Sequence, residues 1–87
     1  MKRVLKYGPI VPGSVYPCVG RPVHMALQKS QVYVWCEVQI DRWSAHNRRW
    51  NVKLVPTGLE YDGYCIGTIA IDDYTFVFHL IADQKLK

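Results

Sequence analysis

Gln31-Val32-Tyr33-Val34-Trp35-Cys36-Glu37-Val38-Gln39-Ile40 alternates without a break. Val32, Val34, Cys36, Val38 and Ile40 share one parity; Gln31, Tyr33, Trp35, Glu37 and Gln39 share the other. Successive side chains of an extended chain point to opposite faces, so a strict period of two over this length reads as a half-buried β-strand. Cys36 then belongs to the apolar side, and Tyr33 and Trp35 to the mixed side.

Upstream, Val23, Met25 and Leu27 also alternate, and the polar link Gln28-Lys29-Ser30 is short enough for a hairpin into the long strand. Met25, Ala26 and Leu27 are good helix formers as well, but Pro22 before them and the β-rich run after them favour a strand. Downstream, Trp50, Val52 and Leu54 alternate with Arg49, Asn51 and Lys53 in a strand that ends at Pro56, and 57–63 is a loop by composition. Tyr64–Ile71 and Tyr74–Ile81 are β-branched and aromatic, and Asp72-Asp73 between them predicts a tight hairpin. In the second of these strands Phe76, Phe78 and Leu80 oppose Val77, His79 and Ile81, which predicts a central strand covered on both faces. Val4–Tyr7 reads as an edge or pairing strand, 8–13 as irregular, and Val15–Val19 as a short strand confined to an edge by Pro17.

No stretch carries helical periodicity. The expected fold is therefore all-β: one domain over 1–87, with five to seven short strands in an antiparallel meander forming a sandwich or partly open barrel. A chain of 87 residues buries only roughly 60–65% of its unfolded surface, so stability is thin and self-association would enlarge the core. The apolar content of 49% is too high for a disordered chain. No apolar run is long enough for a membrane-spanning helix, and the basic start lacks the apolar region of a signal peptide, which gives a cytosolic reading.

The net charge of +4 hides a division along the chain. Lys2, Arg3, Lys6, Arg21 and Lys29 face no acid up to residue 36; Glu60, Asp62, Asp72, Asp73 and Asp83 face no lysine or arginine from 60 to 84. Either the N- and C-terminal strands pair and offset one another, the simpler expectation, or the folded surface is two-signed.

Chemistry is sparse. Cys18, Cys36 and Cys65 are odd in number and fit no metal motif or disulfide framework, so reduced thiols are expected. The histidines His24, His46 and His79 lack ligand spacing. Cys36 with His79 is the one nucleophile and base pairing to weigh, and a core position disfavours the Cys36 thiolate. Asp72-Asp73 reads as a turn, and no glycine pattern forms a phosphate loop. The expectation is a non-enzyme without cofactor or metal.

The segment Asp41-Arg42-Trp43-Ser44-Ala45-His46-Asn47-Arg48-Arg49-Trp50 interleaves cations and indoles. It would stack a base and neutralise a phosphate, or form a protein hot spot, or be a polar hairpin loop with Trp50 turned into the core. If it lies over the face of Tyr33 and Trp35, then Tyr33, Trp35, Arg42, Trp43, Arg48 and Arg49 form one partner- or ligand-binding surface. Thr57 and His79 rank second, His79 more simply as a satisfied strand histidine. The acidic block from residue 60 argues against duplex nucleic acid.

Taken in order, Lys6-Tyr7, the strand with Trp35, Arg48-Arg49, Thr57-Gly58, Ile66-Gly67-Thr68 and Phe76-Val77-Phe78-His79-Leu80 resemble a family of small phage- and prophage-encoded proteins known only as a domain of unknown function. The match runs nearly the whole chain; the Cys-containing N-terminal third and the aromatic segment 42–50 depart from it. The resemblance implies a phage accessory protein in the host cytoplasm with no catalytic residues to transfer. The leading expectation is binding to a host or phage protein, such as a defence component. A sponge for a nucleotide ligand, with Arg48 and Arg49 on its phosphates, and a self-associating virion assembly protein are the alternatives.

Overall fold

The computed structural model describes residues 1–39, 49–72 and 76–84. Among these, seven strands and no helix are present: β1 (Lys2–Ile10), β2 (Tyr16–Val19), β3 (Arg21–Gln28), β4 (Gln31–Gln39), β5 (Arg49–Pro56), β6 (Tyr64–Ile71) and β7 (Phe76–Asp83). They form two antiparallel sheets, β1-β4-β3 and β2-β5-β7-β6, stacked as a small sandwich and not closed into a barrel. The all-β expectation holds. So does the alternation of β4, whose Val32, Val34, Cys36 and Val38 are buried while Tyr33, Trp35 and Glu37 are half-buried.

Two hairpins join sequential strands. β3 turns into β4 through Lys29 and Ser30, both with positive φ, and β6 turns into β7 with Ile71 opposite Phe76. Asp73, Tyr74 and Thr75 lie outside the described residues, and the expected Asp72-Asp73 turn falls in part among them. Elsewhere the neighbours do not follow chain order. β1 pairs with β4, β2 with β5, and β5 with β7. β1 is also longer than Val4–Tyr7 and reaches Ile10 across a register shift after Tyr7.

The expected offset of N-terminal by C-terminal strands does not occur. β1 lies at an edge of the first sheet, and β7 is central in the second. Both signs of charge therefore persist on the folded surface, with the cations of β1 and β3 on one sheet and most acids around the other.

The core lies between the sheets. Ile10, Met25, Val32, Val34 and Cys36 from the first sheet meet Cys18, Val52, Leu54, Ile69, Leu80 and Ala82 from the second. Burial of such aliphatic side chains stabilises by about 1.5–3 kcal/mol each and is the main force holding the sheets together. Tyr7 and Tyr16 bridge the sheets edge to face at 6.5 Å. Met25 packs against Gly67, where an added Cβ would stand 3.3 Å from Met25 Cγ. Trp50 joins the core margin and meets Tyr64 edge to face at 5.6 Å. As a central strand, β7 is covered on both faces: Leu80 on the inner face and Ile81 on the outer face are both 0% exposed.

Candidate functional site

Trp35 lies at the centre of the first sheet's outer face, where its register partners are Lys6 on β1 and His24 on β3. The three residues reach one face because each strand alternates, and Val34, Met25 and Tyr7 take the core side. The His24 and Trp35 rings are 5.7 Å apart and tilted by 48°. The Lys6 ammonium stands 4.2 Å from the centre of the Tyr33 ring and 5.7 Å from that of Trp35, and it donates to Gln28 Oε1 on the far strand. Tyr33 donates its hydroxyl to Gln31 Oε1 at 3.3 Å.

Farther along the same face, Glu37 accepts Lys2 from one side at 3.4 Å and Arg21 from the other at 3.7 Å. Exposed pairs of this kind each contribute less than about 1 kcal/mol, so their effect is mainly to order the cations. Among the described residues the face thus presents three cations, Lys2, Lys6 and Arg21, against one carboxylate, Glu37, around two half-buried aromatic rings. Aromatic surface ringed by cations binds anionic or π-rich groups by ion pairing and stacking.

The structure brings together only part of the expected surface. Tyr33 and Trp35 share the face. Arg49, exposed at the start of β5, alternates with the core-packed Trp50 and so belongs to the outer face of the other sheet, across the sandwich. Arg42, Trp43 and Arg48 lie outside the described residues. The strands flanking their segment, β4 and β5, belong to different sheets, so the hairpin reading of that loop is corrected. Trp50 is turned inward, and its Nε1 is buried without a hydrogen-bond partner among the described residues. Lys2, Lys6, Arg21 and His24 are not among the residues that the sequence groups with Tyr33 and Trp35. The alternation Lys2-Val4-Lys6 gives their shared face, but only the β1–β4 pairing gives their proximity to Trp35.

Thr57 and His79 do meet. His79, half-buried on the outer face of the second sheet, has Nε2 2.8 Å from Thr57 Oγ1 and Nδ1 2.9 Å from Thr68 Oγ1. In either tautomer one hydroxyl accepts from the ring N–H and the other donates to the bare nitrogen. The satisfied-histidine reading fits this geometry. Cys36 lies between the sheets and His79 faces outward, so the two are not juxtaposed. Among the described residues, no three His, Cys, Asp or Glu side chains group as metal ligands, and no helix is long and apolar enough to cross a membrane.

No family model matches the chain, and neither the curated proteins nor the solved structures contain a match to it.

Proposed function

We propose that this chain is a non-enzymatic binding module whose first sheet, through its outer face, docks an acidic surface of a partner protein. The observation that carries this reading is the stack of Lys6, Tyr33, Trp35 and His24 on a broad face where cations outnumber carboxylates. Its rings touch one another and the Lys6 ammonium, so less side-chain freedom remains to be lost on binding. The resemblance in Lys6-Tyr7, Thr57-Gly58, Ile66-Gly67-Thr68 and Phe76–Leu80 supports placing it among phage-encoded accessory proteins of the host cytoplasm, with a host defence protein as target. Three of those motifs converge on the Thr57–His79–Thr68 cluster, which supports a shared scaffold on the sheet opposite the docking face.

The test is parallel affinity capture from infected cells with the native chain, Trp35→Ala, Lys6→Glu and Arg49→Ala. A single partner recovered by the native chain and Arg49→Ala, but lost with Trp35→Ala and Lys6→Glu at unchanged far-ultraviolet dichroism, is the expected result. Equal recovery by Trp35→Ala sinks the proposal. A thermal shift with a cyclic nucleotide, absent in Trp35→Ala, would instead favour a nucleotide sponge on the same rings.

A further inference from the structure

The fold sorts the three cysteines into one exposed thiol and one facing pair. Cys65 is exposed on β6 and points to the Gly67 carbonyl oxygen at 3.4 Å. Cys18 and Cys36 are 1% and 0% exposed and share the hydrophobic cluster, although Cys18 belongs to β2 of the second sheet and Cys36 to β4 of the first.

Gly20 shows what brings them together. At φ +99° it carries the chain from β2 into β3, and so from one sheet to the other. A Cβ there would lie 2.5 Å from Val38 Cγ1 and 2.8 Å from the Glu37 carbonyl oxygen. The backbone two residues beyond Cys18 is therefore pressed onto β4 one residue beyond Cys36, and Cα atoms of β2 and β4 approach within 8 Å. Both side chains alternate inward from this crossing. The Cys18 thiol points to the Tyr16 carbonyl oxygen at 3.9 Å; the neighbouring Cys36 sulfur, with burial, holds Cys18 protonated, and the Cys18 neighbour favours the thiolate at Cys36 against the opposing effect of burial.

We propose that Cys18 and Cys36 are a thiol modification site that closes to an intersheet disulfide when a low-molecular-weight disulfide, such as oxidised glutathione, is the oxidant. The Cys36 thiolate attacks one glutathione sulfur, forming a mixed disulfide and releasing one glutathione thiolate. Cys18 gives up its proton and attacks the Cys36 sulfur, releasing the second glutathione. Two protein thiols lose two electrons and two protons, and the oxidant takes up both. Access comes through β2, an edge strand of four residues with Pro17 in it; short edge elements open locally at low cost. Once closed, the bond adds a covalent link between sheets that pack against one another, and it limits the unfolded chain.

The test uses the full chain with Cys65→Ser, which removes the exposed thiol. The protein is equilibrated with oxidised glutathione in mild urea, then alkylated with iodoacetamide in strong denaturant and weighed intact. The expected product has lost about 2 Da, carries no alkyl group, yields a linked Cys18–Cys36 peptide and melts at a higher temperature than its reduced form. Two alkylated cysteines, persistent glutathione adducts, or a linkage between chains would each overturn the proposal. If Cys65→Ser fails to fold, peptide mapping of the native-sequence protein after the same oxidation separates the same outcomes.

Discussion

The ammonium of Lys6 stands over the ring of Tyr33, 4.2 Å from its centre, while donating to Gln28 two strands away. One edge-strand cation thus spans the width of the three-stranded sheet. Lys6→Met retains most of the aliphatic packing and removes the charge. It should lower stability by about 0.5–1 kcal/mol, measured as a shift in urea midpoint at unchanged slope, and should weaken the proposed partner more than it weakens the fold.

Leu80 and Ile81 are neighbours in sequence, face opposite sides of β7, and are both inaccessible. Ile81 has Lys53 and Cys65 as its register partners, and a cavity of about 110 Å³ beside it is lined by Val15, Asn51, Lys53 and Asp83. Leu80→Ala and Ile81→Ala should each cost about 2–5 kcal/mol, with Ile81→Ala nearer the lower end because the outer face can relax. Urea denaturation of the two variants checks this; a loss below about 1 kcal/mol at Ile81 would mean the outer face is not a second core.

His79 holds the turn after β5 to β6 through Thr57 and Thr68. A double-mutant cycle between His79→Ala and Thr57→Val should give a coupling of about 0.5–1.5 kcal/mol. His79→Gln should recover part of it, because an amide has both a donor and an acceptor. Zero coupling would mean that water replaces the histidine without loss.

Alkaline pH should destabilise the fold. Burial raises the Tyr64 phenol above its ordinary value of 10.0, and the neighbouring Cys36 sulfur, with burial, raises the Cys18 thiol above 9.0. Above the ordinary values the native chain holds more protons than the unfolded one, so stability falls as pH rises through them, while the lowered Cys36 thiol acts in the opposite sense only below pH 9. The decline should begin near pH 9 with Cys18 and steepen past pH 10 with Tyr64. Tyr64→Phe, which keeps the ring on Trp50, should flatten the second part of that limb in thermal melts.

Much of this architecture is legible along the chain because alternation reports which side of a strand a residue takes. β4 and the two-sided burial of β7 follow from it directly. It does not report which strands become neighbours. The pairing of β1 with β4 rests on contacts far apart in sequence, and with it come the cations that surround Trp35. Arg49 shows the cost of a single step: next to Trp50, which the core claims, it is carried to the opposite side from Tyr33 and Trp35. Composition alone groups it with them.

Among the described residues, charge is divided between the sheets in a way that would orient the molecule in an external field. The first sheet and its turn carry Lys2, Arg3, Lys6, Arg21 and Lys29 against Glu37; the second sheet and its loops carry Glu60, Asp62, Asp72 and Asp83 against Arg49 and Lys53. In the field of an acidic body such a dipole turns before contact and arrives with its aromatic face forward. Association of this kind is fast in dilute buffer and slows as added salt shortens the reach of the field to about 8–10 Å.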